Sequence, residues 1–238
     1  MGLLVSGGEA ALRPVEEPVL ERLVRTFTLR TSEGFAENFG PGLLARVGQQ
    51  APGVRLRFVR KADKDAAGLR DGTVDLETGV VGEATAPELL AQPLFRDRFV
   101  GVVRREHPLS RGRMTLARYT AGEHVSVARR GLAQGPVDAA LEGLGRARHV
   151  VTVVDGFATA LALARATDLI ASVPERHTGC LRDGMHSFSL PFATPEITVS
   201  LLWHPRLDGD PAHRWLRGCV RDTVRRGVAG PAAVARDE

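Results

Sequence analysis

The side chains that could do chemistry in this sequence form no catalytic set. The 238 residues contain no G-x-S-x-G nucleophile elbow, no H-E-x-x-H zinc pattern and no Walker loop. The stretch GLGRAR at 143–148 resembles half of a dinucleotide fingerprint, but it precedes a predicted strand, whereas the fingerprint follows one. The seven histidines lack the spacing of metal ligands. We therefore expect no metal, no cofactor and no enzymatic activity.

Binding chemistry is predicted instead where polar residues and glycines follow predicted strands. Ligands of open α/β sheets lie beyond the carboxyl ends of strands, and a helix that starts there offers free N–H groups. Five such strand ends supply the candidate binding residues. These are Ser32, Glu33, Gly34, Arg60, Thr78, Val80, Arg129, Gly156 and Phe157.

Two of the candidates have a structural interpretation that is equally good. Ser32 directly precedes a predicted helix, so its hydroxyl can serve as a plain N-cap. Phe157 stands at the start of another predicted helix and can be a core aromatic. Both interpretations stay open at the level of the sequence.

The carboxylate of Glu33 raises a question about the charge of any ligand. A helix N-terminus favours an anion, and an acidic side chain at the same turn opposes one. Either Arg60, Lys61 or Arg129 compensates for this charge, or the ligand is neutral or cationic.

The elements that must position these residues alternate between strands and helices. Apolar and polar residues alternate over 25–32, 54–59 and 74–81, which predicts strands. Between the first two, apolar residues recur at helical spacing over 35–50, but Pro41 cannot hydrogen-bond back along the helix, so we expect a break there. This alternation favours a parallel sheet with crossover helices.

The same pattern restarts after about residue 108 and indicates a second α/β unit. Two more strands, a pair at 89–95 and 99–104, precede the restart. The second unit and the closing segment contain strands at 124–128, 149–154, 169–173, 186–192 and 197–204, and helices at 137–144, 157–166 and from Asp210 onward.

Composition and charge describe an ordinary globular chain. The net charge of +4 comes from arginines spread along the sequence, and they lack the clustering of a nucleic-acid-binding face. No apolar run is long enough for a transmembrane helix, and the N-terminus lacks the basic region of a secretory signal. Two cysteines are too few for a disulfide framework. We expect a cytoplasmic protein without membrane attachment.

Five segments, in this order, resemble the effector-binding domain of LysR-type transcriptional regulators. The most specific is LRDGTVDLETGV at 69–80, followed by PLFRDRFVGVVRREHPL at 93–109. The others are QQAPGVRLRFV at 49–59, ATDLIASVPER at 166–176 and LLWHPRLDGDPAHRWLR at 201–217. The matching runs extend from about residue 25 to about residue 226.

This resemblance implies an α/β fold of two doubly wound lobes joined by two crossover strands, like type 2 periplasmic-binding proteins. The chain crosses between lobes near Arg104–His107 and Thr178–His186. The implied parts are a connector at 1–25, lobe I at 26–104 plus 187–226, lobe II at 108–177 and a flexible tail at 227–238. The candidate residues then line the interlobe cleft and contact a small-molecule effector, with Phe157 as an apolar wall.

The resemblance also implies partners. A homodimer or tetramer is expected, in which the helix near Leu43–Gln50 packs beside a lobe II helix of another subunit; the alternative is that this helix is simple lobe I core. An apolar outward face on this helix would favour the contact with another subunit over the interpretation as simple lobe I core. Family members bind DNA through a winged helix-turn-helix, for which the roughly 25 residues before the first strand are too few, so DNA binding is expected only through a head absent from this chain.

Two other functions use the same scaffold. A solute-binding protein for transport would share the cleft, but the sequence lacks a signal peptide. An enzyme would need a cofactor-anchoring lysine or cysteine, or an acid–base pair, in the cleft; Lys61, Lys64 and Cys180 are the residues that would have to serve.

Overall fold

The computed structural model describes residues 18–60, 65–82, 85–128 and 135–228, with side chains as far as residue 226. The strands are β1 (Arg25–Thr31), β2 (Val54–Arg60), β3 (Leu76–Val80), β4 (Leu90–Asp97), β5 (Phe99–Arg104), β6 (Glu123–Val127), β7 (His149–Val154), β8 (Ile170–Pro174), β9 (Met185–Ser189) and β10 (Ile197–Trp203). The α-helices are α1 (Glu33–Gln50), α2 (Ala67–Asp71), α3 (Leu116–Thr120), α4 (Pro136–Glu142), α5 (Phe157–Ala166) and α6 (Pro211–Val228).

The first sheet has the strand order β2-β1-β3-β10-β4. Strand β1 is parallel to both β2 and β3, as the alternating pattern predicts, while β10 is antiparallel to β3 and β4. Helices α1 and α6 pack against each other and against this sheet. The core between them consists of apolar residues that include Phe27, Leu29, Phe39, Leu43, Leu201 and Leu216.

The second sheet repeats this plan in the order β7-β6-β8-β5-β9. Strand β6 is parallel to β7 and β8, and β5 is antiparallel to β8 and β9. Helix α5 covers one face, with Ala160, Leu161 and Ala164 buried. Both sheets are therefore mixed, because each contains one strand, β10 or β5, that enters directly from the other unit and runs against its neighbours.

The crossings between the sheets differ from the predicted ones. The resemblance implies that strand β5 belongs to lobe I, but β5 pairs in the second sheet, and so does β9. The chain therefore leaves the first sheet around Arg98 and returns between Ser189 and Ile197. Only one residue separates β4 from β5, so no turn signal marks the crossing in the sequence. The assignment of residues 99–104 and 187–189 to lobe I is corrected accordingly.

Helix α1 continues through Pro41, and the predicted break at this residue is wrong. Proline leaves the carbonyl of Glu37 without its helical donor. The thiol of Cys180, from the other unit, lies 3.7 Å from this oxygen and donates to it. The helix also buries Phe35, Phe39 and Leu43, so tertiary packing outweighs the local penalty of the proline.

None of the helices within the described ranges combines the length and the apolar character needed to cross a membrane.

Candidate functional site

The N-terminal turns of α1 and α5, which belong to different units, approach each other closely. A carboxylate oxygen of Glu33 lies only 2.8 Å from the place that a Cβ on Gly156 would occupy. Both turns follow carboxyl ends of parallel strands, β1 in the first sheet and β7 in the second. This is the place where ligands of open α/β sheets are expected, and it brings three sequence-predicted segments together.

Ser32 is the N-cap of α1. Its Oγ accepts a hydrogen bond from the backbone N–H of Phe35 at 3.3 Å, which is the interpretation as a structural cap. An accepting hydroxyl still has its own proton to donate, and Ser32 is only half-buried. The cap and a ligand contact are therefore compatible at this residue.

Glu33 and Arg60 form an ion pair. The Nε of Arg60 lies 3.2 Å from Oε1 of Glu33, and both side chains are largely exposed, at 62% and 46%. An exposed pair contributes little to stability, but it places a cation beside the carboxylate at the start of α1. Glu37, one turn further along, has its pKa raised by burial and by the charge of Glu33.

Gly34 does not face open space. A Cβ at this position would lie 3.3 Å from the backbone oxygen of His177, and the residue is buried. Glycine at this position lets α1 approach the segment that follows β8. Its role in the structure is this close approach between the two units.

Gly156 and Phe157 begin α5. The carbonyl of Gly156 accepts the N–H of Ala160 at 3.1 Å. Phe157 is 8% exposed and lies edge-on to Phe99, with ring centroids 6.5 Å apart. It belongs to the hydrophobic core of the second sheet, as the alternative interpretation of this residue anticipated.

Thr78 and Val80 occupy the end of β3. Thr78 is buried and pairs with Leu201 of β10. Val80 is 50% exposed, and the neighbouring Val81 is 47% exposed, so this strand end presents an apolar surface. The predicted residue Arg129, like both lysines, lies outside the described residues.

A cluster that the sequence analysis missed joins the two units behind these turns. The buried side chain of Asp97, at the end of β4, accepts hydrogen bonds from the backbone N–H groups of Arg98, Arg176 and His177 at 2.9–3.0 Å. The Nδ1 of His177 donates to the same carboxylate at 3.0 Å. Burial alone would raise the pKa of Asp97, but these hydrogen bonds and the charge of His177 outweigh it and lower the pKa.

Asn38 of α1 holds the same segment from the other side. Its Nδ2 donates to the carbonyl of Arg176 at 2.7 Å, and its Oδ1 accepts from the N–H of Cys180 at 2.9 Å. No local pattern could have revealed this cluster, because the bonds from Asp97 and Asn38 to the segment after β8 join residues that are 79 to 142 positions apart in the sequence. The one hint is an acidic residue, Asp97, at the end of an alternating strand.

No three His, Cys, Asp or Glu side chains in the described part of the chain lie close enough together to hold a metal ion.

Comparison with known proteins identifies a family over most of the chain. The family model described as the LysR substrate binding domain matches residues 21–225. The chain is 32% identical to the HTH-type transcriptional activator NagR of Ralstonia sp over 196 residues, which cover 81% of this chain and 65% of that protein. For NahR of Pseudomonas putida the identity is 31% over 201 residues, covering 83% and 67%. The chain spans about two thirds of the length of these curated relatives.

The fold agrees with solved structures of regulators. The regulatory domain of MexT, a transcriptional activator in Pseudomonas aeruginosa, matches with a TM-score of 0.73 and 29% identity, over 84% of this chain and 100% of that chain. The expected fold class, two α/β lobes of the type 2 periplasmic-binding-protein kind, is confirmed.

Proposed function

The chain belongs to the family of LysR substrate-binding domains, and from this membership we propose that it senses a small metabolite in the gap between its two sheets to control transcription. The observation that carries the proposal is the pair of helix starts, α1 and α5, that face each other at the carboxyl ends of parallel strands. A family of transcriptional regulators fits a site that offers hydrogen-bonding groups to a ligand.

The chemistry of the site supports a ligand with a polar end and an apolar body. The hydroxyl proton of Ser32 and the guanidinium of Arg60 can meet a hydrogen-bond acceptor at the start of α1. The half-exposed side chains of Val80 and Val81 offer an apolar wall. Thr78 is a further polar group at the same strand end. We propose that Gly156, which has no side chain, contributes its backbone groups to this site.

Regulation requires that the ligand prefer one arrangement of the two units. A ligand shifts such an equilibrium only by the difference in its affinity for the two states. We propose that the effector bridges the starts of α1 and α5, which belong to different units, and so favours one angle between them. This angle would alter how attached DNA-binding heads are presented, and through it the effector would change affinity for DNA.

We propose that the chain works in the cytoplasm as a homodimer, or as a tetramer built from dimers. The outward face of α1 is apolar at Leu44, which is 51% exposed. The edge strand β7 exposes Val151 and Val153, at 44% and 55%. A two-fold axis would place α1 of one subunit beside β7 and its neighbouring helix in the other. Contact with DNA is proposed to occur through a winged helix-turn-helix head.

A thermal-shift screen tests the sensing role. The purified chain is heated with a panel of small acids, amino acids, aromatic compounds and neutral metabolites. A binder that prefers the folded state raises the melting temperature, since it adds RT ln(1 + [L]/Kd) to the stability, about 2.7 kcal/mol when the ligand is present at 100 times its Kd.

Two matched N-cap variants locate the binding site. Ser32→Ala and Thr115→Ala each remove a cap, because the Oγ of Thr115 likewise accepts a backbone N–H, that of Arg118, at 3.3 Å. Each should lower stability by about 1 kcal/mol. The ligand affinity derived from the thermal shift should fall at least tenfold for Ser32→Ala. For Thr115→Ala it should stay as in the parent chain. An equal response of both variants would place the ligand elsewhere.

A further inference from the structure

We infer that Asn38 and Asp97 are positioning residues that set the angle between the two sheets by gripping the segment 175–180, here called the bracket loop. The inference rests on the proposed function, because it concerns how the two walls of the effector site are held in register. Neither residue was a candidate from the sequence.

The bracket loop follows β8 of the second sheet, yet its polar groups bond to the first unit. Asp97 ends β4 and accepts three hydrogen bonds from this loop, two from backbone N–H groups and one from the His177 ring. Asn38, in the middle of α1, makes two more, at 2.7 and 2.9 Å. Five hydrogen bonds from two side chains therefore cross between the units within six residues of chain.

Aromatic packing reinforces these bonds. The ring of His177 lies 5.4 Å from that of Phe95 and 6.5 Å from that of Phe35, both in the first unit. The guanidinium of Arg176 stands over the Phe95 ring at 4.5 Å. The loop is thus fixed by direction-dependent contacts on both faces, and rotating one sheet against the other requires that some of them break.

Helix α1 connects the bracket to the effector site. Gly34 and Asn38 are one turn apart and both face the bracket loop, while Ser32 and Glu33 lie at the start of the same helix, where Glu33 approaches Gly156 of the other unit. A Cβ added at Gly34 would lie 3.3 Å from the backbone oxygen of His177, so glycine lets α1 pass close to the bracket loop at this residue. The same rigid helix carries Gly34 and Asn38, which contact the bracket loop, and Ser32 and Glu33, which belong to the proposed effector site. The position of Ser32 and Glu33 relative to α5 therefore depends on the contacts with the bracket loop.

A distance measurement between the units tests this inference without any effector. Spin labels are placed at Ala67→Cys on α2 and Ala162→Cys on α5, two exposed alanines in different units. The background carries Cys180→Ser, because that thiol is exposed, whereas Cys219 is buried. Pulsed electron paramagnetic resonance then gives the distance distribution, with excess unlabelled chain added to suppress pairs between subunits.

Gln50 supplies the matched control. It is an amide on the same helix whose Oε1 accepts the indole N–H of Trp215 at 2.8 Å, entirely within the first unit. Asn38→Ala should move the mean distance by about 2 Å or more, or visibly widen the distribution. Gln50→Ala should leave it as in the parent. Asn38→Asp keeps the acceptor for Cys180 but sets a carboxylate oxygen against the Arg176 carbonyl, so it should also move or widen the distribution; it serves if Asn38→Ala does not fold.

Asp97→Asn tests the same inference with the same distance measurement. The amide of Asn keeps one accepting oxygen but has an NH2 group in place of the other. If the variants at Asn38 and Asp97 have lower melting temperatures but distributions that superimpose on the parent's, the residues stabilise the fold without setting the angle, and the inference is overturned. This experiment uses no ligand. An effector screen without a binder and an unchanged distance distribution in the variants are therefore separate results, and each tests its own proposal.

Discussion

Single residues in this protein show how burial changes proton equilibria. His124 is fully buried, its Nε2 donates to the carbonyl of Tyr119 at 2.9 Å, and its Nδ1 has no hydrogen-bond partner within the described residues. A neutral ring is the form that fits these surroundings. Burial is the main cause that lowers the pKa of His124 to about 4. The sequence shows only a histidine at the start of a strand, because the depth of that strand depends on Tyr119 and the packed sheet.

Acid should therefore destabilise the fold through His124. The folded state keeps this ring neutral down to about pH 4, whereas the unfolded chain binds a proton below about pH 6.5. Stability is thus fully present above the unfolded pKa and is lost as the pH falls from about 6.5 toward 4. Between pH 7 and pH 5 this group alone should cost about 2 kcal/mol.

Urea unfolding at both pH values measures that loss. The control is His124→Gln, which removes the titrating ring and can still donate to the Tyr119 carbonyl. His213 is also buried with a lowered pKa and adds a loss of the same sign in both proteins, so the difference between them isolates His124. An equal loss of stability in the two proteins would contradict the assignment.

At the scale of elements, helix α1 carries most of the site and departs most from its local sequence. Periodicity predicts its length and its buried stripe of phenylalanine and leucine. It does not predict continuity through Pro41, because the stabilising contacts come from α6 and from the Cys180 thiol of the second unit. The N-cap at Ser32, by contrast, is a local feature, and the sequence reveals it as one of two open interpretations.

Replacing Pro41 should stabilise the protein. Pro41→Ala restores an N–H for the carbonyl of Glu37, which has a second lone pair beside the one used by the thiol. Proline inside a helix is about 3 kcal/mol less favourable than alanine, and the loss of rigidity in the unfolded chain offsets part of this. We expect a gain on the order of 1 kcal/mol in urea unfolding.

Pro136 is the matched control for this gain. It begins α4, where the missing N–H has no helical acceptor and proline is favourable. Pro136→Ala should therefore give no gain or a small loss. A Pro41→Ala protein that is no more stable than the parent would mean that the helix has adapted its geometry to the proline.

For the whole molecule, the alternation of strands and helices is predictable and the exchange of strands between sheets is not. The parallel strands β1, β2 and β3 follow from short-range patterns, as do β6, β7 and β8. The strands β5 and β10 join the other unit's sheet, where their partners include Ala171 and Val80, far away in sequence. The same distance hides the bracket formed by Asn38 and Asp97, whereas the strand-end candidates Ser32, Glu33 and Gly156 are found together because local rules place them at helix starts.

Self-association is the property of the whole molecule that the exposed apolar residues predict. If α1 packs beside β7 of a second copy, Leu44 and Val153 lose their exposure together on one two-fold surface. A carboxylate buried there without a partner is costly, so Leu44→Glu and Val153→Glu should each weaken dimerisation at least tenfold, about 1.4 kcal/mol. Sedimentation velocity over a concentration series measures the change.

Val24→Glu is the control for these two variants, since Val24 is 84% exposed but belongs to neither α1 nor β7. Its dimerisation constant should match that of the parent chain. If the two residues lie apart in the interface, the effects of the two substitutions should add in the double variant. If they touch, the two carboxylates also repel each other, and the double variant should weaken dimerisation by more than the sum. A dimer that tolerates both glutamates would move the interface to another face and leave Leu44 as an isolated exposed side chain.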